Sequence, residues 1–141
     1  MGLDAGVYKN LRNVSEGLRK LVHLVDSETG EIDDKEDGVP GPDRKDLFAV
    51  KIRIGNISAV AELRYEVENR LPGRSVLMDA VLYSGSHSGD FIPLGQLDEL
   101  EREVKLIEAD PKPLPSNLQT FLIEMKGLID AARKEENPIV F

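Results

Sequence analysis

Residues 83–92 read YSGSHSGDFI and hold one of the chain's two histidines among serines, glycines and an acid. An imidazole titrates near neutrality and serves as general base, proton donor or metal ligand. Asp90, three positions after His87, is spaced to orient the ring or to share a cation. Gly85 and Gly89 allow close backbone approach to a bound group. His87 and Asp90 are therefore the candidate catalytic residues. Ser84, Ser86 and Ser88 supply hydroxyls for a serine–histidine–aspartate triad. However, no GxSxG elbow exists, and residues this close in sequence do not easily reach triad geometry.

Other chemistry has weaker signals. One histidine with carboxylates is a poor zinc set, and no metal or cofactor is expected. Asp26, Glu28, Glu31, Asp33, Asp34, Glu36 and Asp37 crowd twelve positions. Counted from Asp26 as an EF-hand loop, the glycine falls at the fifth position rather than the sixth, and Asp37 stands where glutamate belongs. A solvated turn is the expectation there. His23, in LVHLV, reads as a half-buried histidine. No phosphate-binding glycine loop, zincin helix or dinucleotide fingerprint is present.

The elements that must position these residues follow from the apolar pattern. At 141 residues, 40% hydrophobic and 31% charged, the chain has the size and composition of one ordinary domain, 1–141. LDAGVY (3–8) has strand content, LRKLVHLV (18–25) suits a strand or short helix, and VDSETGEI (25–32) reads as a hairpin tip. DDKEDGVPGPDRK (33–45) predicts an exposed loop. LFAVKIRI (47–54) predicts a strand, followed by a helix over 55–71 capped by Asn56 or Ser58. SVLMDAVLY (75–83) is a nearly continuous apolar run, which predicts a central strand covered on both faces. The 84–90 loop would then leave the rim where crossover sheets bind ligands. LDELEREVKLIEA (97–109) predicts an amphipathic helix, and residues 116–136 a second one opened by a Ser116/Gln119 capping box. The apolar end, NPIVF, is expected to dock as an edge strand or plug. The fold class is α+β: a single mixed sheet of four to five strands packed by two or three helices.

Charge and composition exclude several roles. The net charge is −8 and the pI about 4.8. No stripe of Lys and Arg is present to meet a phosphate backbone, so nucleic acid is not an expected partner. No apolar run approaches the ~20 residues that cross a bilayer, and no secretory signal opens the chain. The absence of cysteine removes disulfides and thiolate chemistry. A cytoplasmic address is expected.

Four ordered segments carry a resemblance: MGLD at the start, RIGNISAVAELR (53–64), YSGSHSGDFI (83–92) and PIVF at 138–141. Together they resemble a family of small uncharacterised bacterial proteins that begin MGLDAYVY, carry RLGNI…LR and Y-S/N-G-T/S-H-C/S-G-D, and finish PIVF. Ser88 stands where the family's third motif usually has cysteine, which argues against an essential thiol. Among its apolar positions, which look architectural, the resemblance marks Ile57; it also marks Tyr83 and, as polar positions that folding alone does not obviously require, Asp4, Asn56, Arg64, His87 and Asp90. Tyr83, these polar residues and Ser86 make the candidate ligand-binding set, in which His87, Asp90 and Asp4 form a small pocket and Asn56 sits at a helix N-terminus that welcomes an anion.

Two functions compete. The favoured expectation is a small acidic protein-binding module, immunity- or regulator-like, whose partner carries a basic surface. The alternative is a ligand-binding protein or hydrolase-like enzyme using His87, Asp90 and Asp4. A purely structural loop, in which Asp90 caps a turn and His87 donates a hydrogen bond across it, stands beside both.

Overall fold

The computed structural model describes residues 2–19, 22–34 and 47–141. The strands are β1 (Gly2–Tyr8), β2 (Val22–Val25), β3 (Ile32–Asp34), β4 (Phe48–Asn56), β5 (Phe91–Ile92) and β6 (Ile139–Val140). The helices are the single turn α1 (Glu16–Arg19), then α2 (Ile57–Arg70), α3 (Leu97–Glu108) and α4 (Ser116–Glu135). Four strands form one sheet in the order β4-β1-β6-β5, while β2 and β3 make a separate hairpin. The α+β class and the four-stranded sheet agree with the sequence expectation. Among the described residues every pairing is antiparallel, so the four-stranded sheet is not mixed and holds no crossover unit.

Alternation along β1 sets the layers. Leu3, Ala5 and Val7 are buried in the main core with Val60, Leu63 and Val67 of α2 and Phe121, Met125 and Leu128 of α4. Each fully buried side chain of this size contributes roughly 1.5–3 kcal/mol of transfer free energy. Gly2, Asp4, Gly6 and Tyr8 take the opposite face of the strand, as a period of two requires. There Tyr8 joins Val14, Ile32 and Leu47 in a smaller cluster. The register slips between Leu3/Asp4 and between Val7/Tyr8, so Ile54 and Ala49 of β4 are the unpaired extra residues.

The apolar run 75–83 is not a strand. Residues Leu77–Val81 form a π-helical turn, with Leu77 and Val81 buried one turn apart. Its free amides are met from two directions. Ser75 Oγ accepts from Met78 N at 3.1 Å, while the Glu103 carboxylate accepts from Val76 N at 2.9 Å and Leu77 N at 3.0 Å. A carboxylate from α3 thus caps a turn that its own sequence only half caps. Glu103 is 2% exposed, and burial pushes its carboxyl above the usual range even though those two amides favour the charge.

Two smaller expectations also change. The capping box at Ser116 does not form: Pro115 occupies the cap position with no side-chain bond, and Gln119 Nε2 donates instead to Leu114 O at 2.7 Å. The apolar NPIVF segment does dock, but β6 lies between β1 and β5 and is not an edge. Most of the expected 33–45 loop lies outside the described residues, as does the side chain of His23; Asp33 and Asp34 belong to β3. The Asp26 turn is closed by its own chain, its carboxylate accepting from Glu28 N at 2.8 Å and Thr29 N at 3.0 Å. Among the described residues no helix is long and apolar enough to cross a membrane.

Candidate functional site

Because residues 77–81 turn as a helix, the following loop leaves a helix end and not the rim of a sheet. The loop folds back so that His87 faces the last turn. His87 Nε2 lies 2.9 Å from Val81 O, and Nδ1 lies 2.7 Å from Asp90 Oδ2. A carbonyl oxygen only accepts, so Nε2 carries the hydrogen; Nδ1 meets the carboxylate and donates to it when the ring is protonated. The ring is stacked on Tyr83 at 4.4 Å and tilted against Phe141 at 5.2 Å. Its side chain is 6% exposed. Neither ring nitrogen is open to a third partner.

The Tyr83 hydroxyl donates to the same Asp90 oxygen that His87 meets. That hydroxyl first, and then His87, hold the Asp90 carboxyl below the usual range against the opposing cost of burial. The same bond, with the carboxylate charge beside it, pushes the Tyr83 phenol up. Asp90 is thereby kept ionised and Tyr83 protonated. Ser84 Oγ donates to Ser86 O at 3.1 Å and accepts from Ser86 N at 3.3 Å, which closes the tip of the loop. Gly89, at φ +83°, lets its amide reach Phe141 O at 3.0 Å, while Phe141 N donates to Asp90 O at 3.0 Å. The loop is therefore pinned to the strand ending in β6 on one side and to the helical turn on the other.

The remaining candidates divide between two surfaces. Asn56 Oδ1 accepts from Ala59 N at 2.8 Å and from Ser58 Oγ at 3.0 Å, so it is spent as the cap of α2. Arg64 Nη1 donates to Tyr83 O at 3.3 Å, which ties the middle of α2 to the loop. Asp4 is on the far face of the sheet, paired with Arg53 at 3.3 Å. It lines a groove of about 420 Å³ together with Ser86, His87, Gly6, Phe48 and Lys51. The structure thus brings His87, Asp90 and Tyr83 into direct contact, sets Arg64 beside them, and places Asp4 across the groove with its charge already matched.

Reading from the sequence gave three exposed residues no binding role, Ile57 among them although the resemblance marks it. Ile57 and Tyr65 are 51% and 65% exposed on α2, and Lys51 points into the groove beside Phe48. The α2 signal was available: positions 57, 61 and 65 make a second helical stripe beside the buried one at 60, 63 and 67. A search that stops at the first stripe passes over it.

Chemically, the arrangement can brace and present more readily than it can transfer protons. Among the described residues no group of three or more His, Asp or Glu side chains is arranged to hold a metal. No family model, no curated protein and no solved structure matches this chain.

Proposed function

We propose that this chain is a small, non-catalytic protein-binding module, immunity- or regulator-like, that docks a basic partner on the outer face of α2 and the adjoining Tyr83 loop. The observation that carries the reading is a helix with two apolar faces of which only one is packed. Val60, Leu63 and Val67 are buried, whereas Ile57, Ala61 and Tyr65 face outward. An amphipathic helix that only covers a core needs one such stripe. Tyr83, 41% exposed, extends the patch through the Arg64 bond. Gly85 seats the loop against the helix, since a Cβ there would come within 2.9 Å of Ile57 Cα. Clustered exposed apolar residues with a polar rim mark interaction surfaces, and tyrosine is enriched among binding hot spots.

Charge supports a basic partner. The chain carries −8, and Glu62 and Glu68 are exposed on the same helix. A partner rich in Lys and Arg would be steered toward it, and the association would weaken with salt. A cytoplasmic address suits a chain without cysteine. Support for catalysis is thinner: Val81 O and Asp90 engage both His87 nitrogens, Tyr83 shares the Asp90 oxygen, and Asp4 is paired with Arg53.

The test is affinity capture from the cell of origin, followed by titration of the purified partner. Wild type is compared with Ile57→Asp/Tyr65→Ser and with Ile123→Ser, a control on α4 whose side chain is 70% exposed. The expected result is a basic protein retained by wild type and by the control, with affinity lowered about tenfold or more in the double variant. Equal binding by all three proteins, or self-association through α2, contradicts the reading.

A further inference from the structure

We propose that Glu103 is a positioning residue for the docking surface, acting from α3 through the Leu77–Val81 turn on the orientation of Tyr83. The inference rests on the reading that Tyr83 and the outer face of α2 meet a partner, and it gives that surface a buried control point. Glu103 and Glu135 are the two buried acids among the described residues. Burying a carboxyl is costly unless its oxygens are met, and each of these two joins distant parts of the chain. Glu135 accepts from Asn10 N at 3.2 Å and from Asn13 Nδ2 at 2.9 Å, which ties the amino-terminal loop to the end of α4. Glu103 accepts from Val76 N at 2.9 Å and from Leu77 N at 3.0 Å, which ties the start of the turn to the middle of α3.

The route from Glu103 to Tyr83 consists of direct contacts. Leu77, whose amide Glu103 holds, also closes the turn by accepting at its carbonyl from Leu82 N at 2.8 Å. Val81 O, inside that turn, accepts from His87 Nε2 at 2.9 Å. His87 in turn stacks on the Tyr83 ring at 4.4 Å and meets at 2.7 Å the Asp90 oxygen that takes the Tyr83 hydroxyl. Ring and hydroxyl of Tyr83 are therefore both placed by a histidine referred to Val81. On the α2 side there is no slack to absorb a shift. A Cβ on Gly85 would come within 2.9 Å of Ile57 Cα, and Arg64 Nη1 reaches Tyr83 O at 3.3 Å. Nor does the turn's own sequence replace Glu103, since Ser75 Oγ accepts only from Met78 N. A π-helical turn is an uncommon geometry that recurs at functional sites.

The test compares wild type with Glu103→Gln and Glu135→Gln. Glutamine keeps the shape but turns one acceptor oxygen into a donor amide, so one facing N–H group loses its acceptor. In the free protein, exchange of the His87 Nε2 proton with water is followed by imidazole NMR. It is expected to be about fivefold faster in Glu103→Gln, the factor that one lost hydrogen bond implies, and unchanged in Glu135→Gln. Affinity for the basic protein retained in the capture is expected to fall by a similar factor in Glu103→Gln alone. Equal effects of the two variants, as general loosening would give, overturn the proposal, and so does a Glu103→Gln protein whose His87 exchange matches wild type. Faster His87 exchange with unchanged affinity overturns the link to docking. If wild type retains no basic protein, the docking reading falls, and the His87 measurement still decides whether Glu103 sets the loop. Coupling is reciprocal, so in wild type the Val76 and Leu77 amides are expected to exchange more slowly in the complex than in the free chain. Equal exchange there in both states also overturns the proposal.

Discussion

His87 is held by three neighbours. Val81 O takes one nitrogen, Asp90 takes the other, and Tyr83 covers a face of the ring. The sequence shows a histidine and an aspartate three apart, and that pairing is present. It cannot show that a backbone carbonyl six residues back uses Nε2, because that contact depends on the chain turning helically just before the loop. The consequence can be tested at Asp90. Its carboxyl is held low chiefly by the Tyr83 hydroxyl, so the folded protein binds fewer protons there than the unfolded chain does. The stability it contributes is present above the ordinary aspartate value of about 4 and is lost as pH falls through the depressed folded value. Urea midpoints measured through the acid range are expected to show the advantage of wild type over Asp90→Asn growing as pH rises across that window. A constant difference at every pH would show that Asp90 acts through shape alone.

Elements with strong local periodicity agree with their sequence. The amphipathic pattern expected of 97–109 is present in α3 as the buried stripe Leu97, Leu100, Val104 and Ile107, and α4 likewise buries Leu118, Phe121, Leu122, Met125, Leu128, Ile129 and Ala132. The 75–83 run failed because a short apolar stretch carries no period that separates a strand from a buried helical turn. Asp79, exposed in the middle of the run, and Ser75, which accepts from Met78 N, were the local signs of a turn. The deciding group, Glu103, is distant in sequence and could not be read locally. Its pH dependence has the opposite sign to that of Asp90. Burial raises the Glu103 carboxyl, so its favourable contribution is complete below the ordinary glutamate range and is lost as pH rises toward the raised value. The stability of wild type relative to Glu103→Gln is expected to be greatest in acid and to decline as pH rises, measured by chemical denaturation. At the start of α2, Asn56→Ala is expected to cost about 1 kcal/mol in the same measurement, because Ala59 N loses its acceptor.

At the scale of the molecule, the sheet gives the two faces different work. One face of β1 holds the core against α2 and α4, and the other holds the groove with Lys51. The 83–90 loop joins the two regions, since Arg64 of α2 binds the Tyr83 carbonyl while His87 and Ser86 border the groove. Net charge was legible from composition and set the expectation of a basic partner. The place where that partner would dock was not, because exposure of Ile57 and Tyr65 depends on which α2 stripe the core takes. Backbone amide hydrogen exchange in the complex with the captured partner tests the claim most directly, as each peptide reports its own protection. Slowed exchange across Ile57–Glu68 and Tyr83–Gly85, with the exposed Ile123 side of α4 unchanged, is the result this account predicts. Protection centred on α4 or on β5, with α2 exchanging as in the free protein, would contradict it.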